Sequence, residues 1–261
     1  MNAEHDGESF YLFDFDDNIM YLKTKLLLLN TVTGERKEVS TEDYANIHSL
    51  LGKPGKWENF KEFEGTFRYF RDAEEGRRQY FVTDIEEAIK NDADEWKAPS
   101  WDLFVYACEK RRPVSLVTAR GHSPETIMAG LRVLVEKGLI PREPNYHTIY
   151  PVNNEQVRRK LGDCDLGWTV PRLKRVAIKR SVEKAVEEYG SDHEHRFGMS
   201  DDDPANVNLI IRAMCDCKKS NLDMRFFVIN THQGEHVKLE VFPIDYRVTV
   251  TSQRDPDDPL T

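Results

Sequence analysis

Two carboxylates, Asp14 and Asp16, follow a short apolar segment near the start of the chain. The segment, Phe10–Phe13, is typical of a buried strand, and side chains alternate between the two faces of a strand. The loop after such a strand can turn both carboxylates toward one point. Two neighbouring anions repel each other, and burial adds a desolvation cost, unless a cation or a shared proton compensates. The pair therefore indicates a divalent metal site, acid/base chemistry, or both.

Three more polar sets occupy comparable places along the chain. Thr118 ends the strand-like segment that starts at Pro113, and Lys179 opens a predicted helix that stops at Gly190. A cluster of three acids, 201–203, follows another strand-like segment. Ligands of an open parallel sheet bind at the carboxyl ends of its strands. We therefore expect these groups to converge on the first acidic pair.

Such a set has the parts that phosphoryl transfer requires. Acidic loops hold a hard cation such as Mg²⁺ through oxygen ligands. A hydroxyl and an ammonium group can bind the oxygens of a phosphoryl group while a carboxylate attacks phosphorus. A cation and a lysine neutralise the charge on the transferring group, which is the main requirement of this chemistry.

Composition excludes several classes of protein. The 261 residues carry a formal net charge of −9, which argues against general nucleic-acid binding because that requires a basic field. The mean hydropathy is −0.64, and no apolar run approaches the roughly 20 residues that span a bilayer. The acidic N-terminus lacks the regions of a signal peptide. We therefore expect a cytoplasmic protein without a membrane partner, its four cysteines reduced.

The order of elements predicts an α/β protein, because strand-like and helix-like segments alternate. Two extended stretches within 20–39 surround a turn and predict a hairpin. The stretch from 41 to 97 is charged and aromatic, and its glycines break any long helix. We interpret it as an insertion whose aromatic residues form a small core. These aromatics are Trp57, Phe60, Phe63, Phe67, Tyr69 and Phe70.

Taken together, the motifs resemble those of the haloacid dehalogenase (HAD) superfamily of phosphotransferases. Its first motif, an apolar strand followed by DxDx(T/V), is matched by Phe10 to Asn18, and its second by Val114 to Thr118. The third, a lysine at a helix start, is best matched by Lys179, and the fourth by Gly198 to Asp203. Asn18 departs from the pattern, since Thr or Val is usual there. The four motifs also occur in the family's order.

The resemblance implies a Rossmann-like parallel sheet flanked by helices. Its core would comprise residues 1–40 and 98–250, with a hairpin flap at about 20–39. Residues 41–97 would form a small cap, and 251–261 a flexible tail.

The resemblance also implies roles for the acidic residues. Asp14 becomes the nucleophile and a metal ligand. Asp16 becomes the general acid/base, and its backbone carbonyl a further metal ligand. Asp201 and Asp202 become metal ligands from the fourth motif, with the register between them open by one residue. The implied cofactor is Mg²⁺.

The phosphoryl oxygens would be held by Thr118 and Lys179, with Lys179 also orienting the nucleophile. Arg120, two residues after Thr118, is assigned to substrate binding. Lys174 and Lys184 are rivals to Lys179, which we favour because it opens the predicted helix at a suitable distance from the acidic cluster.

The function expected from this resemblance is that of a Mg²⁺-dependent phosphomonoesterase working through an aspartyl-phosphate on Asp14. Its substrate would be a phosphorylated small molecule or macromolecule. A phosphotransferase or mutase of the same family is one alternative. Another is a catalytically degenerate member that binds a protein partner through its insertion.

Overall fold

A seven-stranded sheet forms the centre of the computed structural model, which describes residues 7–232, 236–242 and 248–251. The strands of the chain are β1 (Ser9–Phe13), β2 (Leu26–Asn30), β3 (Arg36–Val39), β4 (Phe60–Lys61), β5 (Pro113–Thr118), β6 (Asn145–Pro151), β7 (Arg196–Asp201), β8 (Arg225–Asn230), β9 (Val237–Val241) and β10 (Val248–Thr251). The central sheet has the order β10-β9-β8-β7-β1-β5-β6. Strands β8, β7, β1, β5 and β6 are parallel, whereas β9 and β10 are antiparallel.

Helices cover both faces of this sheet. They are α1 (Thr41–Ile47), α2 (Tyr80–Ala88), α3 (Ala93–Trp96), α4 (Trp101–Glu109), α5 (Pro124–Glu136), α6 (Glu155–Leu161), α7 (Val170–Tyr189) and α8 (Pro204–Ser220). The architecture is therefore α/β, with a mostly parallel sheet flanked by helices. None of the helices in the described ranges combines the length and apolar character needed to cross a membrane.

Strand β1 is buried on both faces, as its continuous apolar sequence predicts. Tyr11 and Phe13 pack into the cluster that includes Phe104 and Leu131 of α4 and α5. The alternate residues of β1 pack on the opposite face, in the cluster built by α6, α7 and α8. Because β1 lies between β5 and β7, the residues that follow it can meet the loops after both neighbours.

The predicted hairpin is present, and it is part of a second, three-stranded sheet with the order β3-β2-β4. Its leucines Leu26 and Leu28 pack against Trp57, Phe60 and Phe70 of the insertion. Three of the six predicted aromatics therefore contribute to a small core, which they share with the hairpin, whereas Phe63, Phe67 and Tyr69 are not part of this cluster.

The last part of the predicted insertion packs with the central fold. Phe81 and Ile85 of α2 belong to the large cluster on one face of the central sheet. The ring of Phe81 lies so close to Gly130 of α5 that a Cβ there would be 2.5 Å from it. Residues from about 80 onward thus belong structurally to the core.

Several boundaries differ from those predicted. The helix expected to open at Lys179 begins at Val170, where Pro171 occupies one of the first helical positions that proline favours. Helix α6 and strand β10 were not predicted. The cysteines are free, as expected: Cys108, Cys164, Cys215 and Cys217. The predicted flexible tail lies, except for Thr251, outside the described residues.

Candidate active site

The carboxyl ends of β1, β5 and β7 bring the predicted residues together. Asp14 directly follows β1, and its backbone N–H donates to the carbonyl of Ser200 in β7, at 3.1 Å. Thr118 ends β5 and Asp201 ends β7. Asp14, Thr118 and Asp201 are all buried. These residues are far apart in sequence, and the order of the strands in the sheet brings them together.

Lys174 is the cation of this site. Its Nζ lies 3.1 Å from Asp14 Oδ1 and 3.3 Å from Asp201 Oδ2, and its side chain is 2% exposed. Burial alone would lower the pKa of Lys174, but attraction to Asp14 and Asp201 outweighs burial and raises it above its ordinary value. Lys174 therefore stays charged and links the acids that follow β1 and β7.

We expected Lys179 to be the lysine of this site. The contacts of Lys174 with Asp14 and Asp201 correct that expectation. Lys179 lies five residues further along α7, roughly 140° around the helix from Lys174. It faces the region of Cys217 on α8 rather than the acidic site. Lys184, the second rival, donates to the carbonyl of His147 at 2.8 Å and pairs with Glu188. The error arose from the helix boundary, because α7 begins nine residues earlier than predicted.

Three carboxylates could hold a cation. One oxygen each of Asp14, Asp201 and Asp202 lies within 4.8 Å of the others. Asp201 is anchored at Oδ1 by the N–H of Asp203 and the side-chain amide of Asn206, each at 3.1 Å. Both predicted acids of the fourth motif thus lie beside Asp14. The carbonyl ligand expected from Asp16 stays a prediction.

The charges of this group fit a divalent ion. Burial raises the pKa of Asp14 well above its ordinary value, against the lowering effect of Lys174. Burial, followed by the charge of Asp201, raises the pKa of Asp202 to about 7. Three acids therefore face a single ammonium, and carboxylate oxygens are the ligands that Mg²⁺ prefers. A second positive charge would relieve the remaining repulsion.

Asp16 is held by Arg120. The Nε of Arg120 donates to Asp16 Oδ2 at 2.9 Å and its Nη2 donates to Oδ1 at 2.6 Å, while Nη2 also reaches Thr24 at 2.8 Å. The guanidinium lies between the rings of Phe70 and Phe81, at 4.9 and 4.8 Å from their centroids. Arg120 was predicted to bind substrate, but in this structure it is fully buried and committed to Asp16.

Thr118 lies where the second motif requires. Its hydroxyl oxygen accepts the N–H of Arg120 at 3.3 Å, and the residue is 1% exposed. A threonine hydroxyl keeps its own proton when it accepts, so Thr118 can still donate to an anionic oxygen. The contact also fits a structural role for Thr118, in which a strand-end hydroxyl caps the following turn.

Asn18 is a site residue whose role the sequence did not reveal. Its side-chain amide donates to the carbonyls of Asp14 and Ser200, at 3.0 and 3.1 Å, and to the Ser200 hydroxyl. Its Oδ1 accepts from the hydroxyls of Ser100 and Thr231, at 2.8 and 2.9 Å. Asn18 thereby ties the loop after β1 to three other segments. In the sequence, Asn18 was noted only because it stands where Thr or Val is usual in the first motif.

Comparisons with known protein families, with curated proteins and with solved structures find no match for this chain. What the site can do must therefore be argued from its own geometry.

Proposed function

We propose that this chain is a Mg²⁺-dependent phosphomonoesterase of the HAD type, with Asp14 as its nucleophile. The observation that carries the proposal is the buried Asp14–Lys174–Asp201 group at the carboxyl ends of adjacent parallel strands. A purely structural role would not require two buried carboxylates and a third, Asp202, beside one lysine. Burying so many charges is costly, and active sites are where such arrangements occur.

The chemistry divides between two carboxylates. An oxygen of Asp14 attacks phosphorus, and the bond from phosphorus to the alcohol oxygen breaks. Asp16, protonated before this step, gives its proton to that oxygen, and its carboxyl oxygens still have lone pairs to accept from Arg120. Water then attacks the phosphorus bound to Asp14 and passes a proton to Asp16 as the Asp14–phosphorus bond breaks. The cycle returns both carboxyl groups to their starting states.

The remaining residues bind and orient. Lys174 holds Asp14 in position and, with the Thr118 hydroxyl, offers donors to the phosphoryl oxygens. Arg120 fixes the orientation of Asp16 through two donors. A Mg²⁺ ion held by Asp14, Asp201 and Asp202 would supply charge neutralisation for the transferring group.

A panel of phosphomonoesters assayed with Mg²⁺ and with a chelator tests the proposal. We expect turnover that requires the metal, and loss of at least about a thousandfold in Asp14→Asn. Asp223→Asn, which changes an exposed acid in the turn before β8, is the matched control and should retain wild-type activity. Acid quenching during turnover of labelled substrate should trap phosphate on the wild-type chain only. Turnover that survives both metal removal and Asp14→Asn would exclude the mechanism.

A further inference from the structure

A cavity of about 530 Å³ opens beside Asp16. Its walls come from the small sheet and the insertion on one side, and from the loops after β5 and β6 on the other. This volume lies within the roughly 300–1,000 Å³ typical of small-molecule sites. Asp16 is the residue that would face the alcohol oxygen of a phosphomonoester. The alcohol part of a substrate would therefore extend into this cavity.

Aromatic rings form much of the wall contributed by the insertion. Tyr44 and Phe67 pack edge to face with ring centroids 5.7 Å apart, and Phe67 and Phe70 are 6.3 Å apart. The Tyr44 hydroxyl donates to Glu62, and Tyr44 also lines the cavity. Phe67 is 39% exposed although it lines the cavity. An exposed ring of this kind can be contacted by an aromatic group of a ligand.

The described residues of the lining also include polar side chains, those of Thr41, Arg71 and Asn153 besides Asp16 and Arg120. Asp16 is its only carboxylate, and Arg120 already binds both oxygens of that carboxylate. The side-chain amide of Asn153 donates to the carbonyl of Ala119 at 2.6 Å. Thr41 and Arg71 can still meet polar groups of a substrate, so the aromatic rings, and not a lack of polar partners, indicate the class of ligand.

We infer that this cavity selects phosphomonoesters whose alcohol part carries an aromatic ring. The inference rests on the proposed function, and it adds the class of substrate. The ring would stack on Phe67 while the ester oxygen lies beside Asp16. A nucleobase and a benzyl-type group share this chemistry, and the substrates tested must separate them.

Paired esters measure the contribution of the ring, because both members of each pair release a primary alcohol. Adenosine 5′-monophosphate is compared with ribose 5-phosphate, and benzyl phosphate with ethyl phosphate. We expect kcat/KM to be at least about tenfold higher for the aromatic member of one or both pairs, the size of one stacking contact. The pair with the larger ratio identifies the kind of ring. Ratios near one in both pairs would overturn the inference even if every ester were hydrolysed.

Phe67→Ala tests the wall directly, with Leu50→Ala as the control. Leu50 is an exposed apolar residue of the same insertion that does not line the cavity. Phe67→Ala should bring the aromatic preference close to one, mainly through KM, whereas Leu50→Ala should leave it unchanged. An aromatic preference that persists in Phe67→Ala would overturn the assignment of Phe67.

Binding of the alcohols separates this inference from the proposed function. Adenosine and benzyl alcohol are titrated calorimetrically into the wild type and Phe67→Ala. If the chain hydrolyses none of the esters, the proposed function fails. Phe67-dependent binding of either alcohol would still support an aromatic pocket. Absence of such binding would then overturn the pocket as well.

Discussion

The guanidinium of Arg120 binds both carboxylate oxygens of Asp16, a residue 104 positions earlier in the chain. Arg120 is fully buried between two phenylalanine rings, while the Asp16 side chain remains 31% exposed. Buried Arg120 thus fixes the orientation of the partly exposed Asp16 side chain. This arrangement leaves Asp16 accessible to substrate while restricting its orientation, which a positioned acid/base requires.

Replacing Arg120 should therefore affect catalysis more than binding. Arg120→Leu should lower kcat by about tenfold to a hundredfold and alter the pH–rate profile, because Asp16 loses its positioning donors. It should also reduce the free energy of unfolding by about 2 kcal/mol, a discounted value because Asp16 is partly exposed. Steady-state kinetics and denaturant titration measure these effects.

Arg132→Leu is the matched control for Arg120→Leu, because Arg132 forms an exposed ion pair with Glu143 away from the site. Its kinetics should match those of the wild type. Equal activity of Arg120→Leu and the wild type would show that Arg120 does not position Asp16.

Two lysines on one helix give a second test. Lys174→Met should reduce turnover by about a hundredfold or more, because the donor beside Asp14 is lost. It should also destabilise the protein by about 3 kcal/mol, since buried carboxylates lose their partner. Lys179→Met, on the same α7, should leave turnover near the wild-type value. The reverse outcome would restore Lys179 as the catalytic lysine.

Asn18→Asp tests whether the polar contacts of Asn18 hold the site together. The substitution keeps the shape but replaces a donor by an acceptor, which would then face the carbonyls of Asp14 and Ser200. We expect a loss of about 3 kcal/mol in the free energy of unfolding, because buried polar groups become unpaired. Asn208→Asp, at an exposed position of α8, controls for the added charge. A midpoint of denaturation equal to the control would contradict the assigned role.

The sequence was sufficient to predict most of the elements that build the site. Strand β1 covers the predicted apolar segment Phe10–Phe13 and one more residue, Ser9, because a continuous apolar run is a strong local signal. Three of the four predicted polar sets concern strand ends, and parallel pairing brings Asp14, Thr118 and Asp201 to one edge. Strand order was therefore the decisive step: the motifs predicted that these groups converge, but not the order of the strands.

The details that failed depend on packing. Helix α7 starts at Val170 within a polar stretch and has no side-chain cap, so Pro171 was the main local signal that Lys174 lies in its first turns. The pairing of Arg120 with Asp16 depends on Phe70 and Phe81, which approach from the insertion and α2. Contacts between such distant segments leave no spacing pattern in the sequence.

We expect Asp202 to make stability depend on pH and on Mg²⁺. Its pKa of about 7 lies above its ordinary value of 3.8, so the folded protein retains a proton that the unfolded chain releases. The resulting stabilisation is fully present below about pH 4 and is lost as the pH rises through about 7. The raised pKa of Asp14 acts in the same direction. With a chelator present, this site should therefore lower the melting temperature between about pH 5 and pH 8.

Mg²⁺ should reverse this trend, because the ion binds the deprotonated carboxylates of the folded state and stabilises it by mass action. The increase in melting temperature on adding Mg²⁺ should be larger at about pH 8 than at about pH 5. Asp202→Asn should reduce both the decline with pH and the Mg²⁺ effect, whereas Asp223→Asn should change neither. Differential scanning calorimetry across this range measures all of these effects. A Mg²⁺-induced increase that is equal at both pH values, or unchanged in Asp202→Asn, would exclude Asp202 as a ligand.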